Sequence, residues 1–318
     1  EEVSTHDGAT GWAVGIGLGT SVVSAFVDDA TAREIFAPRA IIGGPMAPNG
    51  RAIPVDGGYR VTGRWPFASG SPHCAWLIGG SIVFEDDAPR IVGEGMPDWR
   101  ITVFPRADVE IVDTWSVMGL RGTGSHDIVV NDAFVPERRA ISFVGTQPKQ
   151  PGPLYAFATL GFLALTVAPV ATGVARRAID EFVTLAHTKT SMGQSVPLKD
   201  RGAVQQRLGQ AEAELRAGRA LMYETMAEMW DSVVAGNAPT TAQRAMLRMA
   251  CAHACTASVR AVDTVYELAG TTSIFDSHIL QRCFRDVHTA TQHLMLNTAN
   301  YDTAGQVLLG IQPSLITL

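Results

Sequence analysis

Basic charge, cysteine and long apolar runs are all scarce in this sequence, and each scarcity excludes something. Lys and Arg number 25 against 31 Asp and Glu, for a net charge of −6. That balance lacks the basic footprint that phosphate backbones or anionic lipid require, so nucleic acid is not an expected partner. Four cysteines, Cys74, Cys251, Cys255 and Cys283, suit a reducing cytoplasm. The longest apolar run, 154 to 174, is interrupted by Gly161, Thr166 and Pro169, which argues against a membrane span. The opening "EEVSTHDGATGW" has neither the basic start nor the small-residue cleavage site of a signal peptide. Because residue 1 is Glu, the numbering is expected to begin partway into a longer gene product.

What is present is enough apolar residue, 46% of 318 positions, to bury a large core in a soluble globular protein. Three textures follow one another. Residues 1–40 read as helical, and the glycines of "GWAVGIGLGTSVVSAF" predict close packing against a neighbour. Residues 41–147 consist of short β-branched runs punctuated by Gly and Pro, a compact β domain in which Asp56-Gly57-Gly58 supplies a hairpin turn. After the linker "GTQPKQPGP", residues 148–318 are helical. In the longest helix Val204, Leu208, Ala211, Leu215, Gly218, Met222, Thr225 and Met229 recur at spacings of four and three and predict one packed face. Thr240 is placed to cap the next helix and Gly270 to end it. With helices near 155–187 and 278–309, the region reads as a four-helix bundle. The run "CAHAC" reads as a core helix, because His253 lies about 200° around from Cys251. No metal is expected.

Two stretches can carry chemistry. In "VTGRWPFASG", Trp65, Phe67 and Ser69 alternate along a predicted strand and are expected to share one face. Such a face suits a flat aromatic cofactor, with rings on its plane and a hydroxyl on its heteroatom edge, although ordinary sheet packing would produce the same pattern. In "DTWSVMGLRGTGSHDIVV", glycines 119, 122 and 124 free the backbone around Arg121, Thr123 and Ser125, as a phosphate-holding turn or a plain β-turn would.

In their order, "DGATGW", "VDGGYRVTGRWPFASG", "WSVMGLRGTGSHDIVVNDAFVP", "VQQRLGQAEAELRAGRA" and "QRCFRDVHTATQH" resemble the acyl-CoA dehydrogenase superfamily. Within it, the chain is similar to the flavin-dependent, two-component monooxygenases. The resemblance implies an α+β fold with an N-terminal helical domain, here truncated, a middle β-barrel domain and a C-terminal four-helix bundle that builds a homotetramer. It also implies reduced FMN or FAD bound between the β domain and the bundle, O2 as co-substrate and a separate flavin reductase. Trp65, Phe67, Ser69, Trp115, Arg121, Thr123 and Ser125 are the cofactor-binding positions so implied.

The last predicted helix separates the two chemistries of the superfamily. A dehydrogenase needs a carboxylate to take the α-proton, and the family pattern places it nine residues after the Arg of the Arg-Asp pair. Counting from Arg285 reaches Leu294, which accepts no proton, while His293 stands where the oxygenases keep a histidine. A displaced base at Tyr301-Asp302, seven residues too late, is the alternative and would make the chain an acyl-CoA dehydrogenase. The stretch "HTKTSMGQSVPL" also lacks the dehydrogenases' Arg-x-x-Phe pair, implying exchangeable flavin.

The oxygenase resemblance makes Ser69 and His293 the catalytic residues. Ser69 would hold the flavin N5 proton of a C4a-hydroperoxyflavin, and His293 would act as donor or as acid/base near working pH. On a continuous helix His293 lies about 20° from Asp286 and Arg282, which would orient it. His288 is assigned to structure. Trp12 and Thr20 are the substrate-side positions. Phenol hydroxylases of this branch place a histidine where Thr20 stands, so indole-like, polyketide or sulfur-containing rings are favoured as the small aromatic or heteroaromatic substrate.

Overall fold

A computed structural model describes residues 1–37, 39–93, 95–142 and 147–314; the first two residues of the expected linker, 145 and 146, fall outside them. The chain forms two compact units. One comprises Glu1–Gly15, Val117–Leu120 and the chain from Ala156 onward, and the other Ile16–Ser116 with Arg121–Tyr155. The N-terminal helical stretch is thus divided between Gly15 and Ile16, and a tetrapeptide from the middle of the sequence belongs with the helices.

The β unit is built on strands β1 (Ile42–Gly43), β2 (Gly50–Val55), β3 (Gly58–Ala68), β4 (Trp76–Glu85), β5 (Ala88–Pro89), β6 (Ile91–Val92), β7 (Met96–Pro97), β8 (Trp99–Pro105), β9 (Glu110–Val112), β10 (His126–Pro136) and β11 (Ala140–Ser142). Its main sheet runs β11-β8-β4-β2-β3-β10-β9. β2 and β3 form the expected hairpin, with Gly57 at φ +75° in its turn. The sheet buries apolar residues in two clusters. One holds Tyr59, Val61, Trp65, Leu77, Phe104 and Ile128. The other joins Ile42, Ile78, Ile101 and Val103 to Val23, Val27 and Ile35 of the preceding helical segment, which ends in α3 (Asp29–Ile35). Asp28 caps that helix by accepting the Thr31 amide at 2.9 Å, which satisfies an N-terminal orphan donor.

The helical unit contains α1 (Glu2–His6) and the first part of α2 (Gly8–Thr20), then α5 (Thr159–Thr188), α6 (Gly202–Val234), α7 (Thr241–Ala269), α8 (Ile279–Ala290) and α9 (Ala299–Leu308), with the short α4 (Pro153–Ala156) entering it. The spacing in α6 is realised: Val204, Ala211, Leu215, Met222 and Met229 are buried and the intervening residues are largely exposed. α6 and α7 pack together, and α7 starts with a capping box in which Thr240 and Gln243 satisfy each other's backbone amides. Gly270, at φ +57°, ends it. Glycine 15 of α2 touches α5 so closely that a Cβ there would lie 2.1 Å from the Thr166 carbonyl oxygen. By length and composition Gly8–Phe26 and Thr159–Thr188 are each long and apolar enough to cross a bilayer, and about half of the most apolar stretch of each is buried inside the fold.

The expected single helix over 278–309 is three pieces, a correction with a local cause. α8 stops at Ala290, a 3-10 turn covers Leu294–Leu296, and α9 begins at Ala299. No Gly or Pro marks the break. Polar side chains compete with the helix instead: Thr289 and Thr291 hydroxyls donate to the carbonyls of Arg285 and His288, and His293 Nδ1 accepts the Met295 amide at 3.3 Å.

Candidate active site

In the β unit, the strand carrying Trp65, Phe67 and Ser69 is bulged, so their common face does not form. β10 pairs His126 with Ala68 but Ile128 with Trp65, leaving two residues of β3 opposite Asp127 alone. Phe67 absorbs the extra residue at φ +66°, a left-handed conformation that costs a bulky side chain on the order of 1–3 kcal/mol. Alternation is broken there: Trp65 is fully buried, whereas Phe67 is 68% exposed. The Trp65 indole donates to the Gly80 carbonyl at 2.6 Å and fills a slot floored by glycines. A Cβ at Gly50, Gly63 or Gly79 would lie 2.4 to 2.5 Å from its ring. Trp65 is therefore a core residue, not a flavin contact.

The bulge instead presents Phe67 beside Trp115, edge to face at 6.1 Å between ring centres. The adjoining loops are tied together by hydroxyls. Ser69 Oγ lies 2.7 Å from Ser125 Oγ, and Ser125 Oγ 2.6 Å from Thr123 Oγ1, all three residues being buried. Gly70, left-handed at φ +73°, donates its amide to the Thr123 carbonyl at 2.8 Å. Arg121 sits exposed at the start of the 3-10 turn Arg121–Thr123. His126 Nδ1 lies 3.1 Å from Asp113. The β unit thus brings together Phe67, Ser69, Trp115, Thr123 and Ser125, and takes Trp65 out of the group. An exposed Phe67 on a strained bulge, edge to face with a half-buried Trp115 and next to a buried relay of three hydroxyls, fits the apolar plane and polar edge of an isoalloxazine ring. Thr20 also belongs to this unit; its hydroxyl lies 2.8 Å from both the Ile16 and Ile42 carbonyl oxygens, which ties the end of α2 to β1.

In the helical unit, His293 caps the 3-10 turn and packs edge-on against Trp12 at 5.3 Å. Burial, with the Arg248 charge as a lesser cause, lowers its pKa to about 4. It is a neutral imidazole at neutral pH, which corrects the expected acid/base near working pH. Because Nδ1 accepts the Met295 amide, the proton sits on Nε2, and the side chain is a donor there. Arg248 was missed in the sequence. Its signal is an arginine inside the apolar run of α7, next to Leu247 and near Ala250, Cys251 and Ala252, and Arg248 itself is buried.

Asp286 and Arg282 do not orient His293, since the helix on which that argument stood ends between them. Arg282 pairs with Asp7 at 3.5 Å, and Asp286 accepts the Leu120 amide at 2.6 Å. His288 Nε2 meets Asp263 at 2.8 Å, and its ring rests on Phe284. Leu294 is 71% exposed, Tyr301 shares a hydrogen bond with His253 at 2.9 Å, and Asp302 is exposed. The buried thiols are inert core groups, with burial pushing Cys251 up to about 12.

The geometry defines a class before it defines a chemistry. Residues 165–298 match the family described as acyl-CoA dehydrogenase, C-terminal domain. The crystal structure of XiaF from Streptomyces sp. in complex with FADH2 and glycerol superposes with a TM-score of 0.90 at 27% identity, covering 98% of this chain and 80% of that one. The indole-3-acetate monooxygenase of Pseudomonas putida is 33% identical over 316 residues, 98% of this chain and 79% of that protein. The flavin-dependent monooxygenase oxygenase subunit HsaA of Rhodococcus jostii is 30% identical over 260 residues, 79% of this chain and 66% of that protein. The chain belongs to the flavin-dependent monooxygenases built on the acyl-CoA dehydrogenase fold. It is an oxidoreductase whose cofactor is reduced flavin, with O2 as co-substrate.

Proposed function

We propose that this chain is the oxygenase component of a two-component system that inserts one oxygen atom into an aromatic or heteroaromatic small molecule, an indole-like ring in preference to a phenol. Reduced flavin, when bound, supplies the electrons that activate O2. Phe67 and Trp115 would hold the flavin ring, Ser69, backed by Ser125 and Thr123, would hold the proton at its N5, and Arg121 would meet the cofactor's phosphate. His293 donates through Nε2, and Trp12 fixes its ring and shields it from water. Thr20, its hydroxyl shared between two carbonyls, handles no phenol proton, which supports the preference for other rings.

The observation that carries oxygenation over dehydrogenation is Leu294. The position expected for the dehydrogenase base is an exposed leucine, and the residue before it is a neutral imidazole, so the chain has no carboxylate there to take an α-proton. The name of the Pseudomonas putida relative supports the indole class, and that of the Rhodococcus jostii relative, an oxygenase subunit, supports a separate reductase. We read the working form as a cytoplasmic homotetramer. The exposed apolar residues Phe275, Leu308 and Leu309 are surface that other subunits would cover.

The test supplies chemically reduced FMN or FAD and ¹⁸O2 to the purified protein with indole or indole-3-acetate as probe. Product carrying one ¹⁸O atom is the expected result. Bleaching of bound oxidised FAD by an acyl-CoA thioester, with no ¹⁸O in any product, would overturn the reading.

A further inference from the structure

The Arg-Asp pair of "QRCFRDVHTATQH" is left without a task once His293 is placed. Within the helical unit both residues face one segment, Val117–Leu120, drawn from the middle of the sequence. Asp286 Oδ1 accepts the Leu120 amide at 2.6 Å, and Arg285 donates to the Met118 carbonyl oxygen. Backbone meets backbone between them. A Cβ on Gly119 would lie 2.1 Å from the Arg285 carbonyl oxygen and 2.6 Å from Thr289 Oγ1, so only glycine fits. Leu120 is buried at φ +50°, a left-handed conformation unfavourable for leucine, and the bond that fixes its amide is the one to Asp286. Gly8, the first glycine of "DGATGW", lies beside the same carboxylate; a Cβ there would come within 2.9 Å of Val174 and reach Asp286 Oδ2 at 3.4 Å, about ordinary contact. A carboxylate, a guanidinium and a glycine thus over-determine four residues that ordinary loop chemistry would leave mobile. Burial raises the Asp286 carboxyl above its ordinary range, and the bond from the Leu120 amide opposes that shift.

We propose that Arg285 and Asp286 are positioning residues: by clasping Val117–Leu120 they fix the backbone of the segment that links Trp115, two residues earlier, to Thr123, three residues later. The proposal rests on the reading of Trp115 and Thr123 as flavin-side residues. The Arg-Asp motif is then a device for flavin affinity rather than part of the oxygen chemistry.

Two substitutions separate the bond from the charge. Asp286→Ala removes the acceptor for the Leu120 amide, whereas Asp286→Asn keeps an oxygen there. Two measurements are made on each, hydrogen exchange of peptides covering 117–124 and anaerobic titration with reduced FMN and reduced FAD. Asp286→Ala should raise exchange in that segment and weaken flavin binding about tenfold, the scale expected when a binding group is misplaced by a fraction of an ångström. Asp286→Asn should restore both to within about twofold of the parent, a rescue that loss of general stability would not give. Unchanged exchange in Asp286→Ala overturns the clasp, and raised exchange with unchanged flavin affinity overturns its role in positioning. Trp115→Ala in the parent background checks the underlying reading separately. If that variant binds reduced flavin as the parent does, the flavin face is misassigned whatever Asp286 does.

Discussion

Lowering the pH should unfold this protein partly through His293, and the size of the effect follows from its surroundings. In an unfolded chain the imidazole titrates near 6.5. In the fold its pKa is lowered to about 4, first by burial and then by the Arg248 charge, while Trp12 covers one edge and the Met295 amide occupies Nδ1. Between those two values the unfolded state binds a proton that the folded state refuses, so stability is lost as pH falls from about 6.5 toward 4. At about 1.4 kcal/mol per pH decade, the gap is worth about 3 kcal/mol. Above 6.5 both states hold the neutral ring, and His293 contributes no slope. His293→Asn keeps an acceptor for the Met295 amide and cannot titrate. Urea unfolding of parent and variant at several pH values from 7 to 4 isolates the histidine, because the other carboxylates and histidines contribute to both. The parent should lose about 3 kcal/mol more than the variant over that range. Parallel curves would refute the claim that the imidazole is buried and neutral, and with it the assignment of Nε2 as a fixed donor.

Other substitutions test the β unit. Trp65→Phe removes the bond to Gly80 and opens space among Gly50, Gly63 and Gly79; thermal or urea unfolding should show a loss of about 1–3 kcal/mol. Its flavin affinity at a permissive temperature should be unchanged, since the ring is core. Phe67→Gly should act in the opposite sense, raising stability by up to about 1 kcal/mol as the left-handed strain is relieved, while weakening reduced-flavin binding in an equilibrium titration. Ser69→Ala should leave flavin affinity nearly intact and raise the rate of hydrogen peroxide release, by about a hundredfold if the hydroxyl acts as an oxyanion-type donor does. An unaltered rate of peroxide release would remove Ser69 from the site.

Much of this was legible in the sequence because the periodicity of packing is local. The face of α6 from Val204 to Met229, the capping box at Thr240, the hairpin turn at Gly57 and the close approach at Gly15 follow from side-chain spacing and backbone freedom at adjacent positions. The order of the motifs carried the family, and the leucine at 294 carried the choice of chemistry. Four features could not be read this way. The bulge that turns Phe67 outward and buries Trp65 is fixed by register against β10, some sixty residues away. The break after Ala290 depends on Thr289, Thr291 and His293 bonding to the chain in place of the helix ladder, which propensity and a Gly/Pro scan do not register. The partner of Asp286 is an amide 166 positions earlier, and the neutrality of His293 comes first from burial and then from the Arg248 charge. Helix faces and turns are decided by neighbours along the chain. Which aromatic ring is exposed, which histidine is neutral and what an arginine-aspartate pair grips are decided by neighbours in space.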